Sequence, residues 1–76
     1  MKGLKPIRKE RKLTQLKVAM DLNISREALS HYENGKREPP FDFMIALAQY
    51  YNVSLDYLAG AIDIPERLDR YLKLKG

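Results

Sequence analysis

The stretch from Leu13 to Lys36 reads LTQLKVAMDLNISREALSHYENGK. Thr14 can cap the start of a helix, because its hydroxyl can accept from an otherwise orphaned backbone N–H. That helix opens at Gln15 and is expected to run to about Leu22. Its inward stripe is expected at Leu16, Ala19 and Met20, an i, i+3, i+4 spacing. Asn23 ends it, since asparagine tolerates the left-handed conformation better than most residues other than glycine. Ser25 is a second cap, opening a helix through Arg26, Glu27, Ala28, Leu29, Ser30, His31, Tyr32 and Glu33. Leu29 and Tyr32 face inward, and Arg26, Glu27, Ser30 and His31 share the opposite side. Asn34-Gly35 stops this helix, because both residues accept positive φ.

Two short helices joined by about four residues form a helix-turn-helix arrangement. Ala19 suits the crossing, where a bulky side chain would push the helices apart. Upstream, Leu4, Ile7 and Arg11, with Arg8 and Lys12 between them, suit a short first helix. Pro6 lies in its first turn, where a missing N–H is harmless. Downstream, Lys36-Arg37-Glu38-Pro39-Pro40 is a loop. A fourth helix is expected from about Phe41 to Tyr51, with Met44, Leu47, Ala48 and Tyr51 on one side. Asn52 ends it, Ser54 caps a fifth from Leu55 to Ala59, and Gly60 follows. Pro65 can start a sixth, with Leu68, Tyr71 and Leu72 as its apolar stripe. No segment alternates with period two, so no sheet is expected.

The chain has 76 residues, enough for one small domain. Cysteine is absent, so there is no disulfide framework, thiolate metal site or cysteine nucleophile. Uncharged stretches such as residues 43–55 are too short and polar to span a bilayer. Met1-Lys2-Gly3-Leu4 lacks the pattern of a signal peptide, and a cytoplasmic protein is the expectation. The net charge of +4 is unevenly placed. Residues 1–38 hold ten Lys/Arg against five Asp/Glu, and residues 39–76 hold four against five. One basic half suggests a side that faces a polyanion, although lysine and arginine also solvate ordinary helix faces. No Gly-rich phosphate loop, metal cluster or nucleophile–base pair occurs at a diagnostic spacing, so no enzyme, cofactor or small-molecule ligand is expected. His31 has no second His or Cys with which to complete a metal site.

The sequence resembles the lambda/434-repressor-like, or XRE, helix-turn-helix family over residues 4–60. The resemblance rests on Leu13-Thr14-Gln15, Ala19, Ile24-Ser25, Tyr32-Glu33-Asn34-Gly35-Lys36, Pro39, Leu47-Ala48 and Val53-Ser54-Leu55-Asp56. It implies an all-α fold. A five-helix DNA-binding bundle would occupy residues 1–60, and residues 61–76 would form a helical extension able to serve dimerisation. Asn23 stands where the family usually has glycine, and a sixth helix is not part of the shared core.

The resemblance also implies that residues 25–33 form the recognition helix and enter the major groove, with the helix start against base edges. Arg26 is then the natural base reader, since its planar fork matches the two acceptors of guanine; the alternative is a phosphate or solvent contact. Glu27 can accept from cytosine or simply favour the helix dipole. Ser30 and His31, one turn on, can reach bases or backbone. Thr14 and Gln15 sit at a helix N-terminus that favours an anion, and the family's matching glutamine contacts phosphate and braces the recognition helix. Simple capping is the alternative. Ser25, Lys36 and Arg37 complete the expected backbone contacts, which give affinity and register without sequence information. Lys2, Lys5, Lys9 and Lys12 are read as solvated charges. The family commonly pairs the positions of Arg8 and Glu33 in a partly buried salt bridge, so both are expected to be structural.

Phe43, Tyr50 and Tyr57 fall off the inward stripes and are expected to be exposed. Repressors of this type read paired half-sites, so a homodimer is expected, its seam formed by Tyr57, Leu68, Tyr71 and Leu72; the alternative is that the last helix folds back over its own subunit and leaves a monomer. The expected function is that of a sequence-specific DNA-binding regulator, a repressor acting on a double-stranded operator. The alternative is a helix-turn-helix interaction module, such as an antitoxin or transcription cofactor.

Overall fold

A computed structural model describes residues 1–60. In chain order its helices are α1 (Leu4–Glu10), α2 (Gln15–Asp21), α3 (Arg26–Asn34), α4 (Phe41–Tyr51) and α5 (Leu55–Ala59). Among the described residues there is no strand. The all-α fold read from the sequence is therefore the observed one. The expected sixth helix, with Leu68, Tyr71 and Leu72, lies outside the described residues.

Local chemistry sets the helix ends where the sequence placed them. Thr14, Ser25 and Ser54 are N-caps in extended conformation, and their hydroxyls accept from Lys17 N, Ala28 N and Tyr57 N respectively. Each bond satisfies a donor that has no partner inside its helix. Asn23 and Asn52 take φ of 58° and 55°, and Gly35 takes 77°, so left-handed residues stop the chain from continuing as helix. The first turn differs from expectation. α1 ends at Glu10, Arg11 is its C-cap, and Lys12 itself turns left-handed at φ 57°. A lysine there carries a steric cost that glycine would not.

The core joins Leu4 and Ile7 of α1, Val18 and Ala19 of α2, Leu29 and Tyr32 of α3, and Leu47, Ala48 and Tyr51 of α4. Val53 and Leu58 close it beneath α5. α2 packs on α3, α1 also packs on α3, and α4 packs on α5. The α-amino group of Met1 donates to the Tyr32 carbonyl at 2.7 Å, tying the start of the chain to α3.

The expected stripe on α2 is corrected. Leu16 and Met20 are 55% and 70% exposed, whereas Val18 and Ala19 are buried and Leu22 packs against the core. Two stripes with the same helical spacing compete in this segment. The true one runs Gln15, Val18, Ala19, Leu22, and the polar residue at its head disguises it. Phe43, Tyr50 and Tyr57 are also corrected: all three are half-buried and packed against the core. The Phe43 ring lies 5.7 Å from that of Tyr32, and Tyr50 meets Tyr51 edge-on at 5.0 Å. Such pairs add to the stabilisation from area burial.

The Tyr51 hydroxyl is buried with no hydrogen-bond partner among the described residues. Burial pushes its pKa well above the ordinary tyrosine value. An unbonded hydroxyl in the core loses water without compensation. Tyr51→Phe should therefore leave the protein at least as stable, with a gain of up to about 1–2 kcal/mol. Urea denaturation checks it, and a loss above about 1 kcal/mol would mean the hydroxyl is bonded.

Candidate nucleic-acid interface

α3 presents its polar side because its opposite side is fixed at three points. Leu29 and Tyr32 are in the core, and Glu33 is held from below. The Glu33 carboxylate, 1% exposed, accepts from Arg8 Nε at 2.7 Å, Arg8 Nη2 at 3.2 Å and Gln15 Nε2 at 3.0 Å. Arg8 Nη1 donates to the Leu13 carbonyl at 2.9 Å. One buried carboxylate thus gathers the end of α1, the start of α2 and the second half of α3. Its hydrogen bonds hold the Arg8 guanidinium in its charged form and raise its pKa.

With that side locked, Arg26 and Glu27 are exposed, and Ser30 and His31 are half-exposed one turn further along. At 100° per residue these four share one face of α3. Asn34 Nδ2 donates to Ser30 Oγ at 3.3 Å, which orients the Ser30 hydroxyl. After Gly35 the chain folds back, and the amides of Lys36 and Arg37 both donate to the His31 carbonyl, at 3.0 and 3.3 Å. Those bonds hold two exposed cations beside the end of α3. Thr14 and Ser25 are exposed, and each hydroxyl is used as a cap acceptor while its own O–H stays available to donate. Gln15 is half-buried, and one amide N–H is committed to Glu33, leaving the second.

A second link, missed from the sequence, joins α2 to α4. Tyr50 donates its hydroxyl to Asp21 Oδ2 at 2.6 Å, and Lys17 donates to Asp21 Oδ1 at 3.0 Å. These bonds lower the Asp21 pKa, while desolvation and the Asp21 bond push Tyr50 up to about 12. The one signal the sequence carries for this link is the four-residue spacing of Lys17 and Asp21. Among the described residues no group of His, Asp and Glu could hold a metal ion, and no helix is long and apolar enough to cross a membrane. Tyr57, expected at a dimer seam, is half-buried on α5.

The helix-turn-helix family matches residues 4–58, which is most of the chain. The uncharacterized HTH-type transcriptional regulator YqaE of Bacillus subtilis is 46% identical over 56 residues, covering 74% of this chain and 48% of its own. The HTH-type transcriptional regulator ImmR of the same organism is 39% identical over 66 residues, covering 87% and 52%. The antitoxin PezA of Streptococcus pneumoniae is 39% identical over 59 residues, covering 78% and 37%. The chain spans about half the length of the regulators it matches, and less of the antitoxin. The chain belongs to the XRE-type helix-turn-helix family of transcriptional regulators.

Proposed function

We propose that the chain is a sequence-specific DNA-binding repressor that lays α3 in the major groove as a homodimer. The observation that carries this is the locked helix with an open polar face. Arg26 and Glu27 stand free at the start of α3, and Glu33 and Leu29 fix its back. Arg26, Glu27, Ser30 and His31 are assigned to base edges. Thr14, Gln15, Ser25, Lys36 and Arg37 are assigned to the sugar–phosphate backbone. Residues 1–60 form the DNA-binding unit, and residues 61–76 extend a dimer seam that starts at Tyr57. The site of action is the bacterial cytoplasm, and no catalytic step is assigned.

A two-fold dimer must place its α3 helices in successive major grooves. Half-site centres then lie about 34 Å apart in an inverted repeat. Selection of bound duplexes from a random pool should recover that repeat. On the selected duplex, Arg26→Ala should lose about 1–3 kcal/mol and relax preference at one base pair. Lys36→Ala should weaken all sequences alike and lower the salt slope by about one. Equal losses on every sequence for Arg26→Ala would reassign Arg26 to phosphate.

A second reading, a protein-binding antitoxin-like module, is favoured by the similarity to PezA and by the exposed Leu16, Met20 and Phe41. Duplex binding that ignores salt, or fails altogether, would favour it.

A further inference from the structure

The charge along the chain divides more sharply than into two halves. Residues 1–12 hold six Lys/Arg against Glu10, a surplus of five. Residues 13–38, which contain α2, α3 and the loop after them, hold four Lys/Arg and four Asp/Glu and are neutral. With Glu33 paired to Arg8, the helix-turn-helix unit carries only a small positive surplus, and most of the basic charge lies before it. Within residues 1–12, Arg8 is spent on Glu33, and Arg11 sits 5.9 Å from the Tyr51 ring centroid. Lys5, Lys9 and Lys12 are exposed and make no ion pair among the described residues. Lys5 and Lys9 are one turn apart on α1, on the flank of its buried Leu4–Ile7–Arg8 side. Lys12 is set beside them, since its amide donates to the Lys9 carbonyl at 3.0 Å.

This cluster is continuous with the start of α2. Arg8, on the same helix, bonds both Glu33 and the Leu13 carbonyl, and Gln15 bonds the same carboxylate. Lys9 adjoins Arg8 in the chain, and Lys12 adjoins Leu13, whose carbonyl Arg8 holds. Exposed charges act on a phosphate backbone within about one Debye length, roughly 8–10 Å, and are largely screened beyond it.

We infer that Lys5, Lys9 and Lys12 form an electrostatic docking edge for the phosphates flanking the bound site, separate from the base-reading face of α3. The inference rests on the DNA-binding reading above. α1 adds sequence-independent capture to that of Lys36 and Arg37, and the polar face of α3 supplies discrimination. The separation has a consequence that ordinary solvated lysines would not. Removing the three charges must weaken random and specific duplex by the same factor and leave their ratio intact.

The test is a Lys5→Gln, Lys9→Gln, Lys12→Asn variant; asparagine at position 12 suits its left-handed backbone and keeps the fold. Affinity is measured by fluorescence anisotropy on a random duplex and on a selected duplex between 50 and 200 mM salt, with a thermal melt as the folding control. Each phosphate contact contributes about 0.9 to the log–log slope, so the slope should fall by roughly two to three per protomer. The affinity lost between the two salt concentrations should then shrink by up to about fortyfold for each bound protomer. Wild-type binding with a steep slope that the variant shares would overturn the docking edge alone. A change confined to the selected duplex would overturn it too, by making these lysines readers of sequence. A wild-type chain with no salt-dependent duplex binding would overturn the DNA-binding reading and the edge together.

Discussion

Glu33→Ala is expected to cost roughly 3–5 kcal/mol of folding stability. The substitution leaves the Arg8 guanidinium inside the protein with only the Leu13 carbonyl to receive it, and Gln15 loses its acceptor. An uncompensated buried charge is among the most destabilising outcomes of a single change. A chain of this size has a total stability of about 4–11 kcal/mol, so the variant should be largely unfolded well below the wild-type midpoint. Arg8→Ala should cost a similar amount, since the carboxylate keeps only the Gln15 amide. The pair Arg8→Ala with Glu33→Ala should cost far less than the two losses added, because no buried charge remains. Urea denaturation of the three variants decides it. Additive losses would mean that the side chains do not meet in solution, and Arg8 would become a candidate DNA contact.

The coupling also explains why the polar face of α3 has a fixed direction. The carboxylate sits on α3 three residues after Ser30, so its ligands from α1 and α2 set the rotation of the helix about its own axis. Arg26 and Glu27 are presented as a consequence of what Glu33 binds.

Much of this was legible in the sequence because it is local. Three N-caps, two left-handed asparagines and a glycine stop are decided by residues within a few positions of one another, and five helices follow. The inward face of α2 was not legible, because Gln15 is polar and its burial depends on a carboxylate eighteen residues away. Phe43 and Tyr50 looked surplus for a similar reason. Their partners, Tyr32 and Asp21, lie on other helices, and helical spacing does not report contacts between helices. At the candidate site, the family resemblance implies Arg26 as a reader, and the fold adds what spacing cannot. Lys36 and Arg37 reach the end of α3 only because their amides turn back to His31.

Gly3 is the sharpest case of information held in tertiary structure alone, and it carries a prediction of opposite sign to the local rule. Its φ and ψ, −83° and −11°, are ordinary helical values. By local propensity Gly3→Ala should stabilise the start of α1 by about 0.4–1 kcal/mol. In the fold, Gly3 N donates to the Leu58 carbonyl at 2.9 Å, and the backbones touch. A methyl group at Gly3 would run into the Tyr57 carbonyl oxygen and sit 2.7 Å from Leu58 Cα. Neither atom is the end of a side chain that could swing away. To accept the methyl, α1 must part from α5, which loses that hydrogen bond and loosens Leu4 and Leu58, both in the core. The expected loss is about 2–4 kcal/mol, the sum of overpacking and one hydrogen bond. Gly35→Ala is the control. Its φ is 77° and nothing lies within 4 Å of the added carbon, so only left-handed strain of about 1–2 kcal/mol applies. Denaturation of both variants should therefore rank Gly3→Ala as the more damaging, although Gly35 is the one whose backbone demands glycine. A stabilised Gly3→Ala would show that α1 and α5 are not in backbone contact in solution.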